Sequence, residues 1–185
     1  WRSSFDALGP DGTARWVERW DPRHYLPAAR LPMLWVTGTN DFAYLLPMLQ
    51  KSCRLAPGPH TLCVRMRMPH GHGGAGENPE EIRVFADAIL LNGPPLPKIT
   101  ATTFDGTTCA ASYEAAAPPV RAELTFTRSQ NPDWPAREWE TAPATLDAAA
   151  ARVSAAVPAD ATAFYLNLFD SRDCCVSTEH LGTPF

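Results

Sequence analysis

The chain has 185 residues, 45% of them hydrophobic and 19% charged, with a formal net charge of −4 and a pI near 5.7. That balance belongs to a folded globular chain rather than a disordered one, and without a basic stripe to neutralise phosphates no nucleic-acid partner is expected. No run approaches the roughly 18 consecutive apolar residues of a membrane span, so no membrane partner is expected either.

The first residues, Trp1-Arg2-Ser3-Ser4, carry neither an initiator Met nor an apolar signal segment, and they read as the start of a fragment or processed product. Trp20 and the Asp21-Pro22 turn read as a loop leading into a strand, with Trp20 packed in the core. Residues 31–38 are a short apolar run closed by Gly38, the pattern of a buried parallel strand. From Asp41 to about Leu55 the pattern is a loop followed by a helix. Residues 61–68 alternate, with Leu62, Val64, Met66 and Met68 on one side and Cys63, Arg65 and Arg67 on the other. This predicts a strand with one solvated face, near a sheet edge. Asn78-Pro79-Glu80-Glu81 is a helix start, Asn78 capping and Glu81 closing a box-like pattern. Ile82, Phe85, Ala86, Ile89 and Leu90 follow at helical spacing as its buried face. Strand, helix, strand, helix implies α/β layers.

Three prolines and a glycine between Asn92 and Pro97 break this pattern. They divide the chain into 1–93 and 97–185. Beyond the break, seven short β-runs are expected near 99–104, 107–113, 120–127, 137–143, 151–157, 162–169 and 174–178. The alanine-rich stretch 145–153 has a helical alternative. Turn-separated runs of this kind fit a β-sandwich of immunoglobulin-like architecture, with Tyr165 placed as in a tyrosine corner. Trp134 and Trp139 read as packing between its sheets. The five cysteines, Cys53, Cys63, Cys109, Cys174 and Cys175, are odd in number, so at least one thiol is free or bonded between molecules. None shows CxxC spacing, and Cys174 and Cys175 read as small buried hydrophobes.

Two strand-end loops carry chemistry. One delivers Asp41 beyond Thr37-Gly38-Thr39-Asn40, where open α/β sheets build their sites, although Asp41 could instead cap the following helix. The other, Met68-Pro69-His70-Gly71-His72-Gly73-Gly74, places two histidines in a glycine-rich loop able to aim an imidazole into a cleft. A metal site built from His70, His72 and Glu77 or Asp41 is a weaker alternative, because an HxH pair in a loop is a poor metal signal. Asp followed by His on successive strand-end loops is the second half of the hydrolase order Ser…Asp…His.

Residues 20–26, 34–44, 68–72 and 80–82 resemble the C-terminal half of α/β-hydrolases of the acetyl xylan esterase and cephalosporin-C deacetylase type. They are similar too to the pathogenicity-related and dipeptidyl-peptidase-like relatives of those enzymes, some of which carry a β-sandwich tail. The resemblance implies the C-terminal part of an α/β-hydrolase sheet followed by a small immunoglobulin-like β-sandwich. It implies a serine hydrolase acting on esters, with acetylated carbohydrate first and peptide second, needing no metal or organic cofactor. Asp41 would orient the base. His72, between Gly71 and Gly73, is preferred as that base, with His70 supporting the loop. No G-x-S-x-G elbow occurs anywhere. The nucleophile is therefore expected from a partner, an upstream hydrolase segment, and the chain alone is expected to be inactive. The other reading is a non-catalytic binding or structural module whose sandwich recognises a polymer or a partner chain.

Overall fold

The computed structural model describes residues 2–71 and 78–182. Helix α1 (Arg2–Trp20) precedes strand β1 (Met33–Gly38), helix α2 (Leu46–Leu55), strand β2 (His60–Arg65) and helix α3 (Glu80–Leu90). Nine strands follow: β3 (Lys98–Phe104), β4 (Thr108–Glu114), β5 (Arg121–Thr127), β6 (Glu140–Pro143), β7 (Thr145–Asp147), β8 (Arg152–Ala156), β9 (Ala163–Phe169), β10 (Cys175–Ser177) and β11 (Leu181–Gly182). The fold is mixed α/β, with two sheets, many strands and few helices.

The apolar run 33–38 pairs in parallel with β2, from Met33 opposite His60 to Gly38 opposite Arg65. A parallel pair needs a crossover, and α2 supplies it. This helix starts with Pro47 in its first turn and buries Leu46, Pro47, Gln50 and Cys53, which share one helical face.

β2 lies one strand in from the end of its sheet, near an edge as predicted, but the face expected to be solvated is buried. Leu62, Cys63 and Val64 are all buried, and β10 pairs antiparallel along the side of β2 away from β1. Cys63 packs against Phe169 and Cys175. Arg65 is no solvated cation: its Nε donates to Glu81 Oε1 at 3.0 Å. Met66 and Arg67 lie past the strand, Arg67 in a left-handed conformation at φ 54°.

That ion pair also re-aims α3. Glu81 was expected to cap the helix, but its carboxyl is wholly buried and accepts from Arg65 and from the Cys175 backbone N–H at 2.7 Å. With Glu81 and Val84 turned inward, Ile82, Ile89 and Leu90 of the expected buried face are exposed. A buried carboxylate without partners is far costlier than three exposed aliphatics, so the ionic pairing sets the helix's roll.

The seven β-runs beyond the break fall on β3, β4, β5, β6, β8, β9 and β10. The alanine-rich stretch is not helical. It forms β7, a turn with Ala151 at φ 47°, and the start of β8. One sheet runs β1-β2-β10-β9-β5-β6, with β11 also on β9, and the other runs β3-β4-β8-β7. The main core lies between them: Leu124, Phe126, Leu166 and Leu168 meet Cys109, Ala111, Tyr113 and Val153, with Val84 of α3 alongside. Strands from both sides of the 92–97 break thus share one sheet.

Three tail side chains make the junction with β2. The Val64 N–H donates to Ser177 Oγ at 2.8 Å, and the Val64 carbonyl accepts from Asn167 Nδ2 and Tyr165 OH, each at 3.2 Å. Ser177 in turn donates to Asn167 Oδ1 at 2.6 Å. Tyr165 is therefore not a tyrosine corner: its hydroxyl reaches β2 rather than nearby backbone upstream. Trp134 and Trp139 are buried, but against Tyr165, Ala163 and the start of α2, not between the sheets. Trp20, expected in the core, is 68% exposed, and no residue of α1 is buried. That helix kinks where Gly9 takes φ 65° ahead of Pro10. All five cysteines are free and buried.

Two outcomes follow for stability. Replacing Glu81 with Ala leaves the Cys175 N–H without its acceptor and Arg65 with Asp173 alone, and urea unfolding should show a loss of about 3 kcal/mol. His180 packs edge-on to Trp134, and its backbone is held by the Gln50 side chain. Burial pushes its imidazole down from 6.5 to about 4. The unfolded chain takes up this proton near 6.5 and the folded chain does not until about 4. Its contribution is therefore complete above 6.5 and falls away as pH drops through 4, by about 3 kcal/mol in all. A His180→Gln variant should show a shallower stability loss between these pH values in urea titrations.

Candidate active site

Adjacent parallel strands end on the same rim, so the loops after β1 and β2 emerge side by side. Gly38 makes their contact possible. A Cβ on Gly38 would lie 1.9 Å from the Met68 carbonyl oxygen, closer than any side chain tolerates. Backbone and hydroxyl bonds fasten the crossing: Thr39 N–H to the Arg65 carbonyl at 3.1 Å, and Arg67 N–H to Thr39 Oγ1 at 3.0 Å.

Asp41 follows two residues on and is 7% exposed. Its Oδ1 accepts from the backbone N–H groups of Ala43 and Tyr44, each at 2.8 Å. Its Oδ2 lies 3.0 Å from His70 Nδ1. The carboxylate does not cap α2, whose first turn has no side-chain cap. It braces its own loop with one oxygen and holds an imidazole with the other. A carboxylate can only accept, so Nδ1 carries the proton and Nε2 is the basic nitrogen. The ring sits between Phe42 and Tyr44, at centroid distances of 5.2 and 5.6 Å, and both aromatic rings are largely exposed.

Of the residues singled out from sequence, Asp41 and His70 are brought together. His72, the preferred base, lies outside the described residues, as does Glu77 of the metal alternative. Among the described residues, no three His, Cys, Asp or Glu side chains gather as metal ligands. Sequence reasoning gave Thr39, Asn40, Phe42 and Tyr44 no individual role beyond the stretch 34–44 that carries the resemblance. Their one available signal was proximity to Asp41 in a short strand-end loop.

No family model matches the sequence, and no curated protein matches it. Among solved structures, a carbohydrate acetylesterase from Xanthomonas citri is similar at 13% identity and a TM-score of 0.40, over 91% of this chain and 44% of that one. The chain thus spans less than half the length of that protein.

Gly38→Ala tests the crossing directly. The added methyl must push the Met68 backbone away, so the variant should lose about 2 kcal/mol in urea unfolding. Its histidine NMR spectrum should also show His70 separated from Asp41.

Proposed function

We propose that this chain supplies the acid and the base of a Ser-His-Asp hydrolase. Residues 1–93 are read as the C-terminal part of an α/β-hydrolase sheet, and 97–185 as an immunoglobulin-like β-sandwich. The observation that carries the reading is the 3.0 Å pairing of Asp41 Oδ2 with His70 Nδ1, on loops that follow neighbouring parallel strands. Asp41 fixes the tautomer and orientation of the ring. His70 Nε2 takes the proton of a serine and returns it to the leaving group. Asp41 also steadies the imidazolium formed in between. His70 replaces His72 as the proposed base because the carboxylate already holds it.

The serine and the oxyanion donors come from a partner, a hydrolase segment upstream in the parent protein. The position of β1 supports this. Among the described residues it is the end strand of its sheet, and Met33, Leu34, Trp35 and Val36 are only half-buried. A strand added there in parallel would finish at the rim that carries Asp41 and His70. The proposed substrate is an ester, an acetylated carbohydrate before a peptide. Phe42 and Tyr44 offer exposed rings beside the imidazole on which a sugar face can stack.

The chain alone should ignore a fluorophosphonate probe and leave p-nitrophenyl acetate hydrolysis near background, since a triad acts as a unit. Joined to the upstream segment, it should gain both labelling and turnover. In that longer protein His70→Ala should cut turnover by roughly 10³-fold or more, and His72→Ala far less. Labelling of the 185-residue chain at a serine of its own, or a His72→Ala variant as inactive as His70→Ala, would overturn the assignment.

A further inference from the structure

Asn40 stands next to the proposed acid, and its amide is the only side chain of that loop bonded into the tail among the contacts described. Nδ2 donates to the carbonyls of Pro135 and Arg137, at 2.6 and 2.8 Å. Two carbonyl acceptors on one side fix which end of the amide is nitrogen. Its Oδ1 accepts from Thr39 Oγ1 at 2.7 Å, and that same hydroxyl oxygen accepts from the Arg67 N–H at 3.0 Å. Thr39 is 1% exposed, so this hydroxyl works away from water. The result is a line of hydrogen bonds from the tail loop, through Asn40 and Thr39, to the turn that launches His70.

The tail end of this line is well anchored. Trp134 is buried in the cluster with Leu46 and Tyr165, and the Arg137 guanidinium lies 4.0 Å over its ring. Arg137 Nε donates to the Asn131 carbonyl at 2.7 Å, closing the loop on itself. Asn40 therefore bonds to a rigid surface. Asp41 is one residue from Asn40 in sequence, and His70 is three residues from Arg67. The line thus spans the two loops at the points that set the separation of acid and base.

We infer that Asn40 and Thr39 are positioning residues, which use the tail loop 131–139 to hold the Asp41 and His70 loops at pairing distance. The inference rests on the acid–base reading above. It makes the tail part of the site's machinery rather than an appended module. The described hydrogen bonds of both side chains run to protein groups. Each acts through the alignment of the Asp41–His70 pair, which must be held to a fraction of an ångström for proton transfer to be efficient.

The test uses the 185-residue chain labelled with ¹⁵N-histidine. The His70 Nδ1–H proton, assigned by its loss in His70→Gln, should give a low-field resonance that disappears in Asp41→Asn. Thr39→Ser keeps the hydroxyl and should keep the resonance. Thr39→Val matches the shape without the hydroxyl, and Asn40→Ala removes the amide. While still folded by circular dichroism, both should lose the resonance or exchange its proton at least about tenfold faster, as expected for losing one or two buried hydrogen bonds. Val153→Ala, a cavity in the distant core, should lower stability and leave the signal unchanged. If Thr39→Val does not fold, Asn40→Asp decides by the same measurement, because it keeps the acceptor for Thr39 and removes the donors to the tail. Parent-like resonance and exchange in the relay variants would overturn the inference, as would Thr39→Ser failing as badly as Thr39→Val. An Asp41→Asn variant that leaves the parent signal intact would instead sink the acid–base pair, and the relay with it.

Discussion

Everything in this structure hangs on how β2 satisfies its backbone on the side away from β1. Two parallel strands cannot stand alone in water, since a two-stranded sheet buries too little and leaves polar groups unpaired. Here the tail provides the answer. β10 lies along β2, and Ser177, Asn167 and Tyr165 take over the N–H and carbonyl of Val64. All of these groups are buried, so losing any partner would strand a polar atom away from water, which is the costly direction of the exchange. The parallel pair and the tail are one folding problem for that reason.

A second constraint is steric and acts at the rim. The loops after β1 and β2 can cross only because Gly38 has no side chain, and the approach is too close for even a methyl. The crossing then carries Asp41 and His70 toward each other. Beneath it, the ion pair between Arg65 and buried Glu81 ties the end of β2 to α3, and Glu81 also receives the Cys175 N–H from β10. Strand, helix and tail therefore meet at one carboxylate directly below the loop that bears the imidazole.

These constraints explain what the sequence made legible. Elements whose own pattern is strong were readable: β1 from its apolar run, the tail strands from turn spacing, and α3 in its position, although its N-cap is Pro79 with no side-chain cap rather than the expected Asn78. The loop positions of Asp41 and His70 followed from strands that announce where they end. Features set by distant partners were not readable. β2 looked half-solvated because nothing near it announces that Phe169, Cys175 and Glu81 will cover the face of Cys63 and Arg65. The roll of α3 depends on Arg65, which in isolation looks like any surface cation on an alternating strand. Tyr165 was assigned to local backbone because local contacts are what spacing can show. Helix α1 went unseen because Gly9 and Pro10 resemble a break, and they do break it, as a kink. Between His70 and His72, glycine flanks pointed to the second, which lies outside the described residues; the pairing of His70 with Asp41 is a tertiary fact that spacing does not show.

The Asp41–His70 pairing is braced by its own loops. Both lone-pair demands of Asp41 Oδ1 are met by the Ala43 and Tyr44 N–H groups, so the carboxylate has one orientation to adopt and one oxygen left for the ring. The imidazole is flanked by Phe42 and Tyr44, which limits its swing. The orientation of both groups is thus fixed on folding. On the reading proposed above, a nucleophile brought to Nε2 would meet a base whose tautomer and direction are already set. It would then add the group attacked and the donors for the developing oxyanion, usually the largest single contribution to such catalysis. That proposed division of labour has a physical logic: an acid and a base that need a rigid frame would reside where frame and loops share one hydrogen-bonded core.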